Sequence, residues 1–354
     1  MKLNGRELTR AELARYAGDA SAAGGVRAVE LSDGAERGIR ALEFRTGAGL
    51  SFDVLVDRAM DLGTAEFKGN GFGWRSATGF RHPGLHEYRD DDGLGMMRSF
   101  SGLLLTAGLD HTLFTAEVDA SQYRYPHRAT VSNGLHGRVA NLPARLTGYG
   151  ETWTDDGGCV LWAEGEVRQA AIFGEHLRLR RRIEADVGGT EIRLHDTVWN
   201  AGFDPTPHMY LYHINVGWPF LDEGSRYELP IERTLWQSDS VAEQGISHVD
   251  MPSPQKGFVE QVYEHELKPD GAGLVRPRLV NERLGVFFEL EYDSAQFPAF
   301  FQWLHLREGA YAVGFEPSTH HVEGEQAARD DGTMTFLEPG EERRYSTTFR
   351  VGEL

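Results

Sequence analysis

At four places in the sequence, ionisable and polar side chains crowd beside glycine, proline and aromatic residues. They are Val56-Asp57-Arg58-Ala-Met-Asp61-Leu-Gly63, Asn133-Gly-Leu-His136-Gly-Arg138, the run from Thr206 to Trp218 that carries His208, Tyr210, Tyr212, His213 and Asn215, and Trp303-Leu-His305 followed by Gly314-Phe-Glu316-Pro-Ser-Thr319-His320-His321. These residue types suit the handling of a sugar. Aromatic rings cover the apolar C–H faces of a pyranose, while carboxylate, Arg, His and Asn side chains bind its hydroxyls. Opening a hemiacetal needs a base for the anomeric hydroxyl and an acid for the ring oxygen, and a glutamate with a histidine supplies both near neutral pH.

Spacing limits which of these groups can cooperate. Along a regular strand, side chains alternate between faces, so His208, Tyr210 and Tyr212 share one face and His213 and Asn215 the other. His208 and His213 therefore serve different surroundings. The adjacent His320 and His321 also point to opposite faces, which argues against both of them binding one metal ion.

The elements that must hold these residues are strands. Thr190 to Trp199 and Val286 to Tyr292 alternate polar with apolar, as do Tyr345 to Val351 and Val160 to Val167. Leu177 to Ile183 follows the same rule with an apparent break at Arg181. Turn signals such as Asp156-Gly157-Gly158, Gly188-Gly189, Asp270-Gly271, Asp331-Gly332 and Pro339-Gly340 separate such runs. One short helix is expected near the start, capped by Thr9 with Glu12 three residues on, with Leu8, Leu13 and Tyr16 as its apolar side and Gly18 at its end. The expected architecture is all-β: a large antiparallel β-sandwich as one domain over residues 26–354, with residues 1–25 as a helical appendage.

The 354 residues carry 36 basic and 54 acidic side chains, a formal net charge of −18. Such a surface repels phosphate backbones and anionic headgroups, so neither nucleic acid nor a membrane is the expected partner. No stretch approaches the roughly 18 apolar residues of a membrane span, and the N-terminus lacks a signal-peptide core, so a cytoplasmic location is expected. Cys159, the sole cysteine, is expected as a small core residue.

Phe301-Gln-Trp303-Leu-His305-Leu followed by Val313-Gly-Phe-Glu316-Pro-Ser-Thr319 resembles the C-terminal signature of the aldose 1-epimerase (galactose mutarotase-like) superfamily. Leu337-Glu-Pro339-Gly340-Glu341 resembles its proline-glycine-glutamate turn, and Asn133-Gly-Leu-His136-Gly its asparagine–leucine–histidine–glycine loop. Asn200 to Asn215 resembles the segment bearing the histidine followed by an asparagine. The pattern as a whole looks closer to a less characterised bacterial branch. The resemblance implies the galactose mutarotase-like supersandwich and cofactor-free interconversion of the α and β anomers of a free sugar. It implies Glu316 as general base, His213 as general acid and His136 as the second histidine, holding the sugar near its ring oxygen. Two departures stand out: the usual tyrosine–phenylalanine–asparagine–leucine after the acid histidine is here Ile214-Asn215-Val216-Gly217, and the family's substrate-binding aspartate has no evident counterpart. The family's asparagine–arginine pair before the histidine loop also has no clear equivalent, and Arg98 is the candidate for its arginine.

The candidate substrate-binding set is then Arg58, Arg98, Arg138, Asn215, Trp218, Trp303 and His305, with no metal and no cofactor. The expected partner is a small sugar, and a homodimer is compatible with the sequence. Plainer readings stand beside these. Glu316 would be a strand-end carboxylate paired with an arginine, His213 a core histidine, Arg58 an ion-pair residue holding a turn, and Trp218 and Trp303 core residues. Two other functions also stay open: a metal-dependent isomerase or epimerase of an open-chain sugar or uronate, and a non-catalytic carbohydrate-binding module.

Overall fold

The computed structural model describes residues 1–354 apart from Asn4, Arg124, Tyr125 and His127. Among the described residues, two large antiparallel sheets face one another. One has six strands, in the spatial order Ile231–Gln237, Gln261–Leu267, Ala299–Arg307, Ala310–Ser318, Leu211–Gly217 and Leu104–Ala107. The other has nine and contains the long strands Arg145–Trp153, Cys159–Ala170, His176–Asp186, Glu191–Asn200, Glu342–Glu353 and Val286–Asp293. A five-stranded meander, Gly25–Glu30 to Asn70–Gly71, leads into them. This is the expected antiparallel β-sandwich.

The core lies between the two large sheets. Leu177, Leu179 and Ile183 from one sheet and Ile214, Val216, Phe300, Leu304, Val313 and Phe315 from the other belong to one buried cluster. Burying an aliphatic or aromatic side chain contributes about 1.5–3 kcal/mol, so this shared layer holds the sheets together. It also contains a polar knot. Arg181, fully buried, donates to Asp61, Asp196 and the Thr106 hydroxyl, and Tyr210 and Tyr212 both donate to Asp196. The alternation in His176–Asp186 is therefore unbroken at Arg181: the guanidinium points inward because two carboxylates wait for it there.

The N-terminal helix is Arg10–Tyr16, and its capping box joins Thr9 and Glu12 in both directions. Leu13 buries, whereas Tyr16 stays 76% exposed, so the apolar side is narrower than expected. Asp331-Gly332 is not a strand turn. Gly332, at φ +78°, closes the helix Gly324–Asp331 from the left-handed region. Cys159 is buried. No described helix is long and apolar enough to cross a membrane.

Candidate active site

Three neighbouring strands of the six-stranded sheet build the floor of a pocket on the face turned away from the core. In Leu211–Gly217, Tyr212, Ile214 and Val216 face the opposing sheet, which sends His213 and Asn215 to the other side. In Ala310–Ser318, Val313 and Phe315 face the core, which leaves Gly314 and Glu316 on the pocket side. The pairing Ile214↔Phe315 sets His213 directly opposite Glu316. The pairing Phe301↔Glu316 places Phe301 and Trp303 on the same floor. Register alone thus brings together residues about a hundred positions apart.

His213 Nε2 lies 3.3 Å from Glu316 Oε1, and both side chains are almost wholly buried. No arginine or lysine pairs with Glu316 among the described residues, so the plain reading of a carboxylate neutralised by arginine does not hold. Burial raises the Glu316 carboxyl well above its ordinary value, and the like charge of Glu260 adds to this. Burial drives His213 well below its ordinary value, with His136 acting in the same direction. The edge-on rings of Phe100 and His136 and the Trp303 indole surround His213, with centroids at 4.7, 5.5 and 5.3 Å. His213 Nδ1 is buried without a partner.

His136 enters the pocket from a loop whose backbone only a glycine permits. His136 and Gly137 take φ of +58° and +71° in succession. A Cβ on Gly137 would meet the carbonyl oxygens of Gly108 and His111 at 2.4 and 2.5 Å. Burial pushes His136 down to about 3, helped by the charge of His111, so it works as a neutral imidazole. The Leu113 N–H points at Nδ1 from 3.4 Å, which assigns the ring proton to Nε2. His111 is itself held by Glu325 at 2.8 Å and by the Phe114 carbonyl at 2.7 Å, and Glu325 is braced by Arg329 and Asn133.

The pocket spans about 590 Å³ including its open mouth, and Met96, Met97, Phe100, Leu135, Trp236 and Glu260 complete its walls. Its lining is mostly apolar and aromatic with a few convergent polar groups, the character of a small-ligand site. Glu260 accepts from the Trp303 indole N–H at 2.9 Å and so fixes that ring. Gly314 keeps the floor flat, because a Cβ there would lie 2.8 Å from Glu316 Oε1 and 2.9 Å from the Trp303 Cβ. We expect Gly314→Ala to destabilise the fold by about 1–3 kcal/mol, because the added Cβ has no room on the floor; the urea midpoint measures it.

The other expected ligand residues lie elsewhere. Arg58 is buried and donates to the carbonyls of Ala140, Ser99 and Arg81, so it ties the loops of His136 and Phe100 together. Asp57 pairs with Arg40 and Asp61 with Arg181, so Arg58 makes no ion pair with either neighbour. Arg98 is exposed and held by Asp90 and Asp91. Arg138 stacks on Tyr88 and faces Glu175 at 3.5 Å, away from the pocket. Trp218, just past the end of its strand, is 67% exposed and lines no part of the pocket. Asn215 is fully buried and donates to the carbonyls of Gly102 and His213, which fixes the histidine's strand. Trp303 is a pocket wall, and His305 stacks on it at 5.4 Å and 17°. His320 bonds to Thr319 and His321 to Glu264, outside the pocket. Among the described residues, no three His, Cys, Asp or Glu side chains converge as a metal site. Phe100, Trp74, Glu260 and His111 carried no signal in the sequence, since no period or motif marks them.

A family model described as Domain of unknown function (DUF4432) matches residues 36–351. The chain belongs to this family. Among solved structures, this DUF4432 chain is similar to a Klebsiella pneumoniae protein described as a candidate aldose 1-epimerase, with a TM-score of 0.82 at 22% identity over 92% of this chain and 83% of that one. It is also similar to a galactose mutarotase-like protein from Clostridium acetobutylicum, with a TM-score of 0.63 at 12% identity over 93% and 98% of the two chains. A galactose 1-epimerase from Lactobacillus acidophilus gives 0.57 at 11% identity over 93% and 98%. At these identities the likeness establishes the galactose mutarotase-like fold for this DUF4432 chain. No curated protein matches it significantly in sequence.

Proposed function

We propose that this DUF4432 protein is a sugar 1-epimerase that interconverts α and β anomers by acid/base ring opening. One observation carries the reading: a glutamate and a histidine, buried and 3.3 Å apart, stand in a pocket walled by aromatic rings, with no arginine or lysine partner for the carboxylate. Their surroundings suit proton exchange. A raised Glu316 makes its carboxylate a better base, and a depressed His213 makes its imidazolium a better acid.

The pair carries one exchangeable proton. Burial, which raises Glu316 and lowers His213, favours its place on Glu316. Transfer to His213 leaves the carboxylate that takes the proton from the anomeric hydroxyl, while the imidazolium protonates the ring oxygen. The C1–O5 bond breaks as C1 becomes an aldehyde. Rotation about C1–C2 presents the other carbonyl face to O5, and closure returns both protons. The neutral His136, with Nε2–H toward the pocket, steadies the ring oxygen as a hydrogen-bond donor.

The test is polarimetry of freshly dissolved pure anomers of hexoses, pentoses, deoxysugars and uronates, with and without the protein. Acceleration for at least one sugar supports the reading. Saturable binding without acceleration for any of them replaces it with a binding module.

A further inference from the structure

The strand Ala299–Arg307 continues past the acid/base pair. Phe301, Trp303, His305 and Arg307 alternate along its pocket face, and at about 3.3 Å per residue Arg307 lies roughly 20 Å from Phe301. That row is much longer than one pyranose. Beside the pocket, and sharing Met97, Phe100, Glu260 and Trp303 with it, a second cleft of about 1030 Å³ including its open mouth is lined by Trp74, Thr78, Phe258, His305 and Arg307. Two of its polar groups have no partner. His305 Nδ1 is buried without a hydrogen bond, and the exposed Arg307 guanidinium makes no ion pair or hydrogen bond among the described residues. Arg58, Arg98 and Arg138 are all engaged by contrast.

We propose that the second cleft receives the distal unit of a reducing disaccharide, and that this unit carries a carboxylate bound by Arg307. The reducing unit occupies the pocket with C1 at Glu316 and His213. The distal ring lies along Trp303 and His305. An aromatic wall with one unpaired cation is what an acidic sugar ring needs: rings for its C–H face and a guanidinium for its carboxylate. Glu260, which accepts from the Trp303 indole, lines the junction of the two cavities, so the carboxylate of the distal unit is placed at the Arg307 end of the row and away from it. This inference rests on the epimerase reading only for the placement of C1.

The experiment titrates the tryptophan fluorescence of the full chain with galacturonic and digalacturonic acid, glucose and cellobiose, and cellobiouronic acid, and follows anomeric exchange of each by NMR. We expect an acidic disaccharide to bind at least tenfold more tightly than its monosaccharide and than cellobiose. Arg307→Ala should reduce that preference about tenfold, and Arg27→Ala, at a distant exposed pair, should leave it intact. The preference without anomeric exchange keeps the cleft and removes the epimerase. Exchange of the monosaccharides with no disaccharide preference keeps the epimerase and removes the cleft. Failure of both acidic disaccharides to bind, or an unchanged preference in Arg307→Ala, also overturns the proposal.

Discussion

Replacing Glu316 by Gln will lower the anomerisation rate by about 10²–10⁴-fold, the usual contribution of one general acid/base group, and will leave the protein at least as stable as before. The two effects have one cause. Glu316 is buried with only His213 opposite it, and its folded-state pKa lies well above the value of 4.5 for an ordinary glutamate. Between those two values the folded chain holds a proton that the unfolded chain has released. Stability from this group is therefore complete below about 4.5 and is lost as pH rises toward the folded-state value. Glutamine is uncharged at every pH and keeps the shape. The stability advantage of E316Q over the wild type should accordingly widen as pH climbs from 4.5. His213, depressed in the folded state, works in the opposite direction: its contribution is present above about 6.5 and is lost as pH falls. It remains in both proteins and largely cancels in the comparison. Urea midpoints at several pH values, paired with polarimetry, check both halves. A stable variant with near-normal rate removes Glu316 from the chemistry, and a variant destabilised increasingly toward high pH contradicts the account of its burial.

The largest loss of stability is expected at Arg181. Its side chain is fully buried and connects Asp61 on one element with Asp196 on another, while Tyr210 and Tyr212 complete the shell of Asp196. Removing one partner of a buried charge pair leaves the other charge uncompensated and typically costs about 3–5 kcal/mol. Arg181→Ala strands two carboxylates and opens a cavity as well, so its effect should lie at or above the top of that range. Tyr212 precedes His213 on the same strand, so variants that still fold should also lose activity through a displaced histidine. The comparison is Arg27→Ala at the exposed pair with Glu43, for which no shift in the urea midpoint is expected because solvent screens such pairs. Equal midpoints for the two variants would show that the buried knot contributes nothing.

The sandwich was legible because its signal is local. Alternation in Glu191–Asn200 and Val286–Asp293 reports one buried face per strand, and the Thr9/Glu12 capping box reports one helix start. Arg181 shows the limit of that logic: a polar residue in an apolar register looks like an interruption until its two aspartates are known. The residues that meet in the pocket were legible where the family resemblance carried them, as at Glu316 and His213 on their strands and His136 on its loop. It was illegible where residue type alone was used. Arg58, Arg98 and Arg138 were singled out as candidate substrate-binding residues, yet backbone carbonyls, aspartates or a glutamate engage each of them. Phe100 and Glu260 reach the pocket from loops, and Trp74 packs behind Phe100 and Trp303, so only sheet register and loop packing bring them to this side of the sheet. Arg307, by contrast, makes no ion pair or side-chain hydrogen bond among the described residues, and its place on the pocket face follows from the pairing of its strand.

The central claim is that Glu316 and His213 open and close a hemiacetal. Its most direct test is exchange NMR of a sugar in D₂O, reading transfer between the α and β anomeric protons and the integral of the C2 proton together. Catalysed α/β exchange with the C2 proton retained is the expected result, because only the O–H protons move. No catalysed exchange, or deuterium entering at C2 as in an enediol isomerase, would contradict it.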